Sequence, residues 1–441
     1  LIKHVSFLVA LCVAAGIAQA QVFPEPPDPE GPTVLTRGQL PPPDLYMTEG
    51  LQNYTNFSFS LGGVYDSTLP IGTVTNGQGT TIQELGGWGG QLGGGFSVYH
   101  RLQHGLLWLG YNGSYTRYQR SNYTNATYQT ISAAYSKMLS RRWTLRASEG
   151  LSFNSNLGST YTVIPTSGLI PSLQPYSQKM LLNSTALTLG YQATHRLSYF
   201  FGGNLFSATY RPSSFSSYFG ISGEAGVSYR FTRRMTLTGS YTISHIGYST
   251  GDTTSGLHTG TATLSYQLTR RIQAGVSAGV SRVNASGSAN ILLQGLPSDL
   301  FVNGMYKQVT LVPNFTGTIS RSGRRSRYAL TGGQSVSGGN GTYLTSKNLF
   351  FNGSANYQLT PRLSVNGLLG YSRLTSVSNA AGNYSGLIYN VDAGYQIRRH
   401  IFANASFSKW NYPAYGGVSG FDARRLMFGI TFASRDYPLP Y

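Results

Sequence analysis

From Asn53 onward, apolar and polar residues alternate almost one for one. In Thr261-Ala262-Thr263-Leu264-Ser265-Tyr266-Gln267-Leu268 every second residue is apolar; Thr269-Arg270-Arg271 follows, and then Ile272, Ala274, Val276, Ala278 and Val280 alternate with Gln, Gly and Ser. A period of two places all the apolar members on one face of a β-strand. The same sentence recurs as Ser228-Tyr229-Arg230-Phe231-Thr232-Arg233-Arg234 followed by Met235, Leu237, Gly239, Tyr241 and Ile243. It returns as Tyr357-Gln358-Leu359-Thr360-Pro361-Arg362 followed by Leu363, Val365, Gly367, Leu369 and Tyr371. Looser copies centre on Leu102-Gln103-His104, Ser140-Arg141-Arg142, Thr194-His195-Arg196, Gly323-Arg324-Arg325 and Arg398-Arg399-His400.

Most copies lie roughly 37 residues apart, enough for two strands of ten or more residues, one short turn and one longer loop. About eight hairpins result, flanked by a first strand near 53–65 and a last strand near 421–433, or about 18 strands with both termini on one side. The apolar face is bulky and the opposite face is Ser, Thr, Asn, Gln and Gly, so the apolar parity is expected to point outward into lipid. Closure is the sheet architecture that leaves no unpaired edge in hydrocarbon. The expectation is an all-β fold, a closed antiparallel transmembrane β-barrel over 51–441 with short periplasmic turns and longer extracellular loops. A β-solenoid would repeat over shorter coils, and a soluble sandwich would turn its apolar face inward and use fewer long strands per layer.

The ends of the apolar parity carry distinctive residues. Tyr135, Tyr191, Tyr229, Tyr266, Tyr357 and Tyr395 each stand on it just before a short turn. There a ring can meet the apolar boundary while its hydroxyl reaches headgroups, as in an inner aromatic girdle. Ten residues up from Leu107, Met235, Ile272 and Leu363 come Arg117, His245, Arg282 and Arg373. At about 3.3 Å per residue and a tilt of about 40°, that climb is roughly 25 Å, the height of a lipid-facing band. Arg211 and Lys409 fall at comparable ends. These cations are expected to form an outer ring facing the anionic phosphates of lipopolysaccharide; ordinary loop-edge charges would look the same in sequence. On the opposite parity, Arg146, Glu224, Arg230, Asp392 and Arg425 are the expected pore-lining charges, giving a slightly cationic, anion-favouring lumen. Two long loops, near 154–179 and 284–304, are apolar for exposed segments, with Val163, Ile164, Leu169 and Ile170 in one and Ile291, Leu292, Leu293, Leu300, Phe301 and Val302 in the other. They either fold inward and narrow the lumen or pack on each other above the rim.

Composition sharpens the picture. The 441 residues include 55 Gly, 32 Tyr and 21 Phe, only 10% are charged, and the mean hydropathy is low at −0.15. No segment beyond the N-terminus approaches the roughly 20 apolar residues of a spanning helix. Residues 1–20 read as a signal peptide: Lys3 and His4, an apolar core from Val5 to Ile17, and Ala18-Gln19-Ala20 as a small-x-small cleavage site. The single cysteine, Cys12, lies in that core after Leu11, so it neither makes a disulfide nor fits a lipid-anchor site. Residues 21–50 combine prolines with Glu25, Asp28, Glu30, Asp44 and Glu49 and read as an extended periplasmic tail.

A net charge of +18 raises the question of nucleic acid. Many basic residues sit in short turns, however, and no helix-turn-helix, zinc or RNP pattern is present, so no nucleic-acid partner is expected. No catalytic constellation stands out. His100, His104, His195 and His400 belong to turns; His245, Asp252 and His258 surround one outer loop, where a barrel hydrolase would hold acid–base groups, but ordinary loop polarity accounts for them. No metal and no cofactor is expected. The glycine runs Gly86-Gly87-Trp88-Gly89-Gly90 and Gly93-Gly94-Gly95 sit in strand context, where they permit curvature rather than phosphate binding.

The N-terminal signal, the alternating strands, the short turns and the last strand, Phe428-Gly429-Ile430-Thr431-Phe432, together resemble the outer-membrane porin superfamily of barrels, over most of residues 51–441. The resemblance implies residence in the outer membrane of a Gram-negative bacterium, with its lipid and lipopolysaccharide as surroundings and the barrel assembly machinery docking on the last strand. The sequence departs from that assembly pattern at Ser434, where a second aromatic is typical. It is compatible with a homo-oligomer. Two functions follow as expectations: a passive diffusion pore for small polar solutes, or a non-conducting surface barrel for adhesion or scaffolding whose loops close the lumen.

Overall fold

A computed structural model describes residues 54–76, 79–119, 125–155, 179–211, 216–249, 253–292, 301–338, 344–377, 383–412, 421–434 and 437–438, with backbone alone for 54, 68–76, 79–85, 155, 288–292, 301–306, 384, 412, 421 and 437–438. Both the 1–20 and 21–50 segments lie outside the described residues, as do 156–178 and 293–300 of the two long loops. One sheet contains every strand: β1 (Tyr54–Asn76), β2 (Gly79–Leu102), β3 (Gly105–Tyr118), β4 (Ala126–Met138), β5 (Trp143–Ser155), β6 (Lys179–Gln192), β7 (Leu197–Arg211), β8 (Tyr218–Thr232), β9 (Met235–Tyr248), β10 (Thr254–Gln267), β11 (Ile272–Leu292), β12 (Phe301–Ser322), β13 (Ser326–Ser337), β14 (Ser346–Thr360), β15 (Leu363–Ser376), β16 (Asn383–Arg398), β17 (Ile401–Tyr412) and β18 (Phe421–Ala433). Each pairs antiparallel with its sequence neighbours, and β1 also pairs with β18 from Ser58↔Ala433 to Asp66↔Arg425, which closes the barrel. A two-residue strand β19 (Tyr437–Pro438) extends that seam against Tyr54 and Thr55.

The eight repeated basic segments are the eight tight turns. Five of them are shaped by one hydroxyl. In four of them Thr194, Thr269, Thr360 or Ser140 accepts from the backbone N–H groups two and three residues on, at 3.0–3.2 Å. Thr232 makes the first of these bonds, from the Arg234 N–H at 3.2 Å. A Thr-x-Arg triplet therefore folds its own turn, pairing backbone donors that the ladder cannot reach.

Side chains follow the alternation. Leu311 and Val276 are 68% and 62% exposed, and Phe59, Leu61, Phe201, Phe219, Ile221, Ile243, Val280, Phe428 and Ile430 stand open on the same outward parity. A continuous apolar belt of this size around a closed sheet is stable in hydrocarbon and not in water, so the chain spans a membrane. Inward, hydroxyls and amides bond across the strands: Ser228 to Thr238 (3.0 Å), Ser240 to Thr261 (2.9 Å), Thr263 to Ser277 (3.0 Å) and Thr259 to Ser281 (2.6 Å).

Two expectations need correcting. The segment 284–304 is largely not a loop: β11 runs through Leu292 and β12 starts at Phe301, paired in register from Ser286↔Lys307 to Leu292↔Phe301. β1 likewise runs to Asn76, paired with β2 well past Tyr65. Apolar residues placed at 291–302 by the sequence therefore belong in part to a tall hairpin, whose alternation the loop reading overlooked. The second correction concerns the interior. Its half nearer the turns is polar, but its half nearer the loops is packed with bulky groups: Met180, Leu182, Phe206, Tyr210, Tyr218, Ile246, Tyr248, Leu257, Val283, Val312 and Val336 form one buried cluster, against which Leu344 and Val377 pack.

Candidate functional site

The lumen has two tiers, set by a switch of parity within single strands. β9 runs inward through Thr238, Ser240, Thr242 and Ser244, then Ile246 and Tyr248; β11 runs through Ser277, Gly279 and Ser281, then Val283 and Ala285. The outward residues change at the same height, to His245 on β9 and Arg282 on β11, both exposed. Above that level the inner face becomes the place where apolar groups are buried.

The upper tier is tied across the barrel. Tyr248, at the end of β9, donates from its hydroxyl to the Gly338 carbonyl at 3.0 Å and shares a 2.7 Å hydrogen bond with the Thr345 hydroxyl. Gly338 and Thr345 flank the connection from β13 to β14, with β10, β11 and β12 between them and Tyr248 along the wall. Gly338 and Thr345, the described residues at the two ends of this connection, thus meet Tyr248 in the interior. Phe206 packs edge-on to Tyr218 (6.3 Å between centroids), and Tyr218 on Tyr248 (5.9 Å). Gly220 makes room for the first of these rings: a Cβ there would lie 2.1 Å from Cζ of Phe206.

The five charges assigned to the lumen separate. Arg425 is buried and meets Asp66 across the closing seam, Nε to Oδ1 at 2.6 Å and Nη2 to Oδ2 at 3.0 Å. The Tyr118 hydroxyl also donates to Asp66, Arg425 reaches that hydroxyl at 3.3 Å, and its guanidinium lies 5.9 Å from the Trp410 ring centroid. Sequence reasoning had not chosen Asp66, Tyr118 or Trp410. The available signal was their inward parity, but their meeting depends on β1, β3, β17 and β18 closing into one wall. Arg146, Glu224 and Asp392 are half-buried on the inward parity, Asp392 with an Asn390 amide at 3.1 Å. Arg230 stands exposed beside its turn. The five do not form one cluster.

Outside, Tyr229, Tyr266, Tyr357 and Tyr395 are exposed on the outward parity beside the turns, while Tyr135 and Tyr191 are half-buried there. Tyr191 is covered by Trp143 at 4.7 Å, and Trp143, Tyr199 and Tyr328 are further aromatic residues at that level. Arg117, His245, Arg282 and Arg373 are exposed at the far end of the outward parity, with Lys179, Arg211, Lys307 and Arg424 at comparable ends; Lys409 pairs with Asp422 at 3.3 Å. His258 is not a loop residue. It lies in β10 directly opposite Arg282, with its Nδ1 2.9 Å from the Tyr241 hydroxyl. One acid also faces outward near mid-height: Glu149, to which Thr185 donates at 2.5 Å. Among the described residues no group of three His, Cys, Asp or Glu is placed to hold a metal.

No protein-family model and no curated protein matches this chain. Solved structures similar to it include OccAB4 of Acinetobacter baumannii (11% identity over 88% of this chain and 100% of that one, TM-score 0.40). Others are OpdK of Pseudomonas aeruginosa with vanillate (14%, 86% and 99%, 0.40) and the ferric-catecholate import receptor Fiu of E. coli K12 (9%, 87% and 82%, 0.42). At these identities none of them assigns a family.

Proposed function

We propose that the chain is an outer-membrane pore of a Gram-negative bacterium that passes small polar solutes, neutral or weakly anionic, down their gradient. The observation that carries this reading is the hydroxyl- and amide-lined lower lumen inside a wall whose outer face is apolar. Such an interior is too wide for side chains to fill and holds water. Arg146, Arg230, Glu224 and Asp392 border the path, and the upper tier around Tyr248 is its narrowest section. In this reading residues 1–20 direct export and are removed, residues 21–50 remain in the periplasm, and the β18 strand engages the assembly machinery. The Tyr135, Tyr191, Tyr229, Tyr266, Tyr357 and Tyr395 level marks the inner interface. The level of Arg117, His245, Arg282 and Arg373 meets lipopolysaccharide phosphates.

One observation favours a second reading, a non-conducting surface barrel: the buried upper tier with its Tyr248 tie. Conductance of the purified protein in planar bilayers separates the two. Discrete channels, enlarged when the 338–345 connection is shortened, are expected; no channel in either form overturns the pore. Replacing Arg117, His245, Arg282 and Arg373 together by Ser is expected to reduce co-purifying lipopolysaccharide, and unchanged association would remove the role given to that ring.

A further inference from the structure

Among the described residues, the charged groups in the tight turns of the barrel are all cations. None of the eight turns contains an Asp or Glu, and seven contain one or two arginines. More telling are the arginines just above the turns on the inward parity: Arg230 at the end of β8, Arg327 at the start of β13 and Arg398 at the end of β16, all exposed, with Arg101 at the end of β2 in the same position. These side chains point into the opening, where lipid phosphates cannot follow. Six residues deeper, Glu224 lies on the strand of Arg230 and Asp392 on that of Arg398. The mouth is thus a positive rim above a partly negative floor.

We propose that the occupant of this rim is the chain's own segment 21–50. That segment holds five of the chain's 14 acidic residues (Glu25, Asp28, Glu30, Asp44 and Glu49) against one arginine, Arg37, a net charge of 1 − 5 = −4 in an otherwise basic protein. It leads into β1, whose first residue, Tyr54, pairs with Tyr99 close to the turn-side end of β2, so the segment enters the barrel at this rim. Eighteen strands about 4.8 Å apart and tilted about 40° enclose a barrel roughly 35 Å across. Thirty residues in an extended proline-rich form reach about 90 Å, enough to cross the mouth and return. Carboxylates of the segment meet Arg230, Arg327 and Arg398 at the rim, and Glu224 and Asp392 stop them from going deeper by like-charge repulsion. Prolines lower the entropy lost on ordering the segment there. The segment docks on the rim as an acidic ligand supplied by the chain itself. This assignment depends on closure and charge and not on whether the lumen conducts.

The test uses residues 21–441, which contain no cysteine, with Gly31→Cys carrying a fluorophore, in neutral nanodiscs. The fluorophore is expected to show restricted rotation in 0.1 M salt and to be released in 1 M salt, where the Debye length falls to about 3 Å. A labelled peptide of residues 21–50 should bind the barrel lacking that segment, and about tenfold or more weaker binding is expected with Arg230, Arg327 and Arg398 changed to Gln, from three exposed charge pairs. Should that variant not fold, the peptide with its five acids changed to Gln or Asn makes the same comparison on the unaltered barrel. Free rotation at low salt, or equal binding by charged and neutralised peptides, overturns the proposal; the first would leave the segment for an acidic-segment receptor elsewhere. Absence of channels in bilayers leaves every one of these readouts unchanged.

Discussion

Removing the Asp66 carboxylate isolates what the buried seam pair contributes. In the native barrel the Arg425 and Asp66 side chains are 6% and 8% exposed and make two contacts of 2.6 and 3.0 Å. At that separation the attraction is about 5–6 kcal/mol for an effective dielectric near 20, most of it offset by the loss of hydration of both ions. Asp66→Leu takes away the attraction and keeps the cost on Arg425, which is left with the Tyr118 hydroxyl and the Trp410 face. The expected destabilisation is about 3–5 kcal/mol. Arg425→Met alone strands Asp66 in the same way, while the pair Asp66→Leu with Arg425→Met buries no charge and should return to within about 1 kcal/mol of the native barrel. Urea unfolding in vesicles, followed by tryptophan fluorescence and by the mobility difference between folded and boiled barrel on gels, gives all four corners of the cycle. A coupling below about 1 kcal/mol would refute the reasoning, since exposed pairs reach that value. So would a single-variant loss that disappears in 1 M salt, because screening does not reach a buried pair.

Other consequences follow from parity and packing. Val276→Arg, outward near mid-height, should cost about 2–4 kcal/mol, whereas Ser277→Arg on the adjacent inward position should cost much less; similar losses in vesicle unfolding would contradict the orientation of the wall. Gly220→Val drives a side chain into the Phe206 ring and should cost about 1–3 kcal/mol, partly recovered when Phe206→Ala is added. Tyr248→Phe keeps the ring but removes the donor to Gly338 and the partner of Thr345, with an expected loss of about 1–3 kcal/mol. In bilayers the same variant should open more often than the parent.

Much of the barrel can be read from residue order because a strand has only two faces. Five of the tight turns are marked by a Thr or Ser whose hydroxyl accepts from the N–H two residues on, and all eight segments singled out in the sequence are turns. Period-two runs also place Val276, Phe428 and the girdle tyrosines on one face without reference to distant contacts. The tall β11–β12 hairpin escaped this reading because its apolar residues past Ser286 look like those of a greasy loop; pairing with 301–307 is what makes them strand. The shift from Ser244 to Ile246 and from Ser281 to Val283 was visible in the sequence as well. Its meaning depends on height, and height is known only once the strands are tilted and staggered in a closed wall.

Sequence alone determined most of the strands, their tight turns, the face their residues occupy and the acidity of 21–50 against a basic barrel, because all of these follow from neighbours a few positions apart. Tertiary structure alone decided that Asp66 meets Arg425 359 residues away, that Tyr248 reaches Thr345 across the interior, and that His258 stands in a strand opposite Arg282. Those contacts exist because closing the sheet brings its first and last strands together and bends its wall until opposite sides meet. No local rule of alternation contains that curvature.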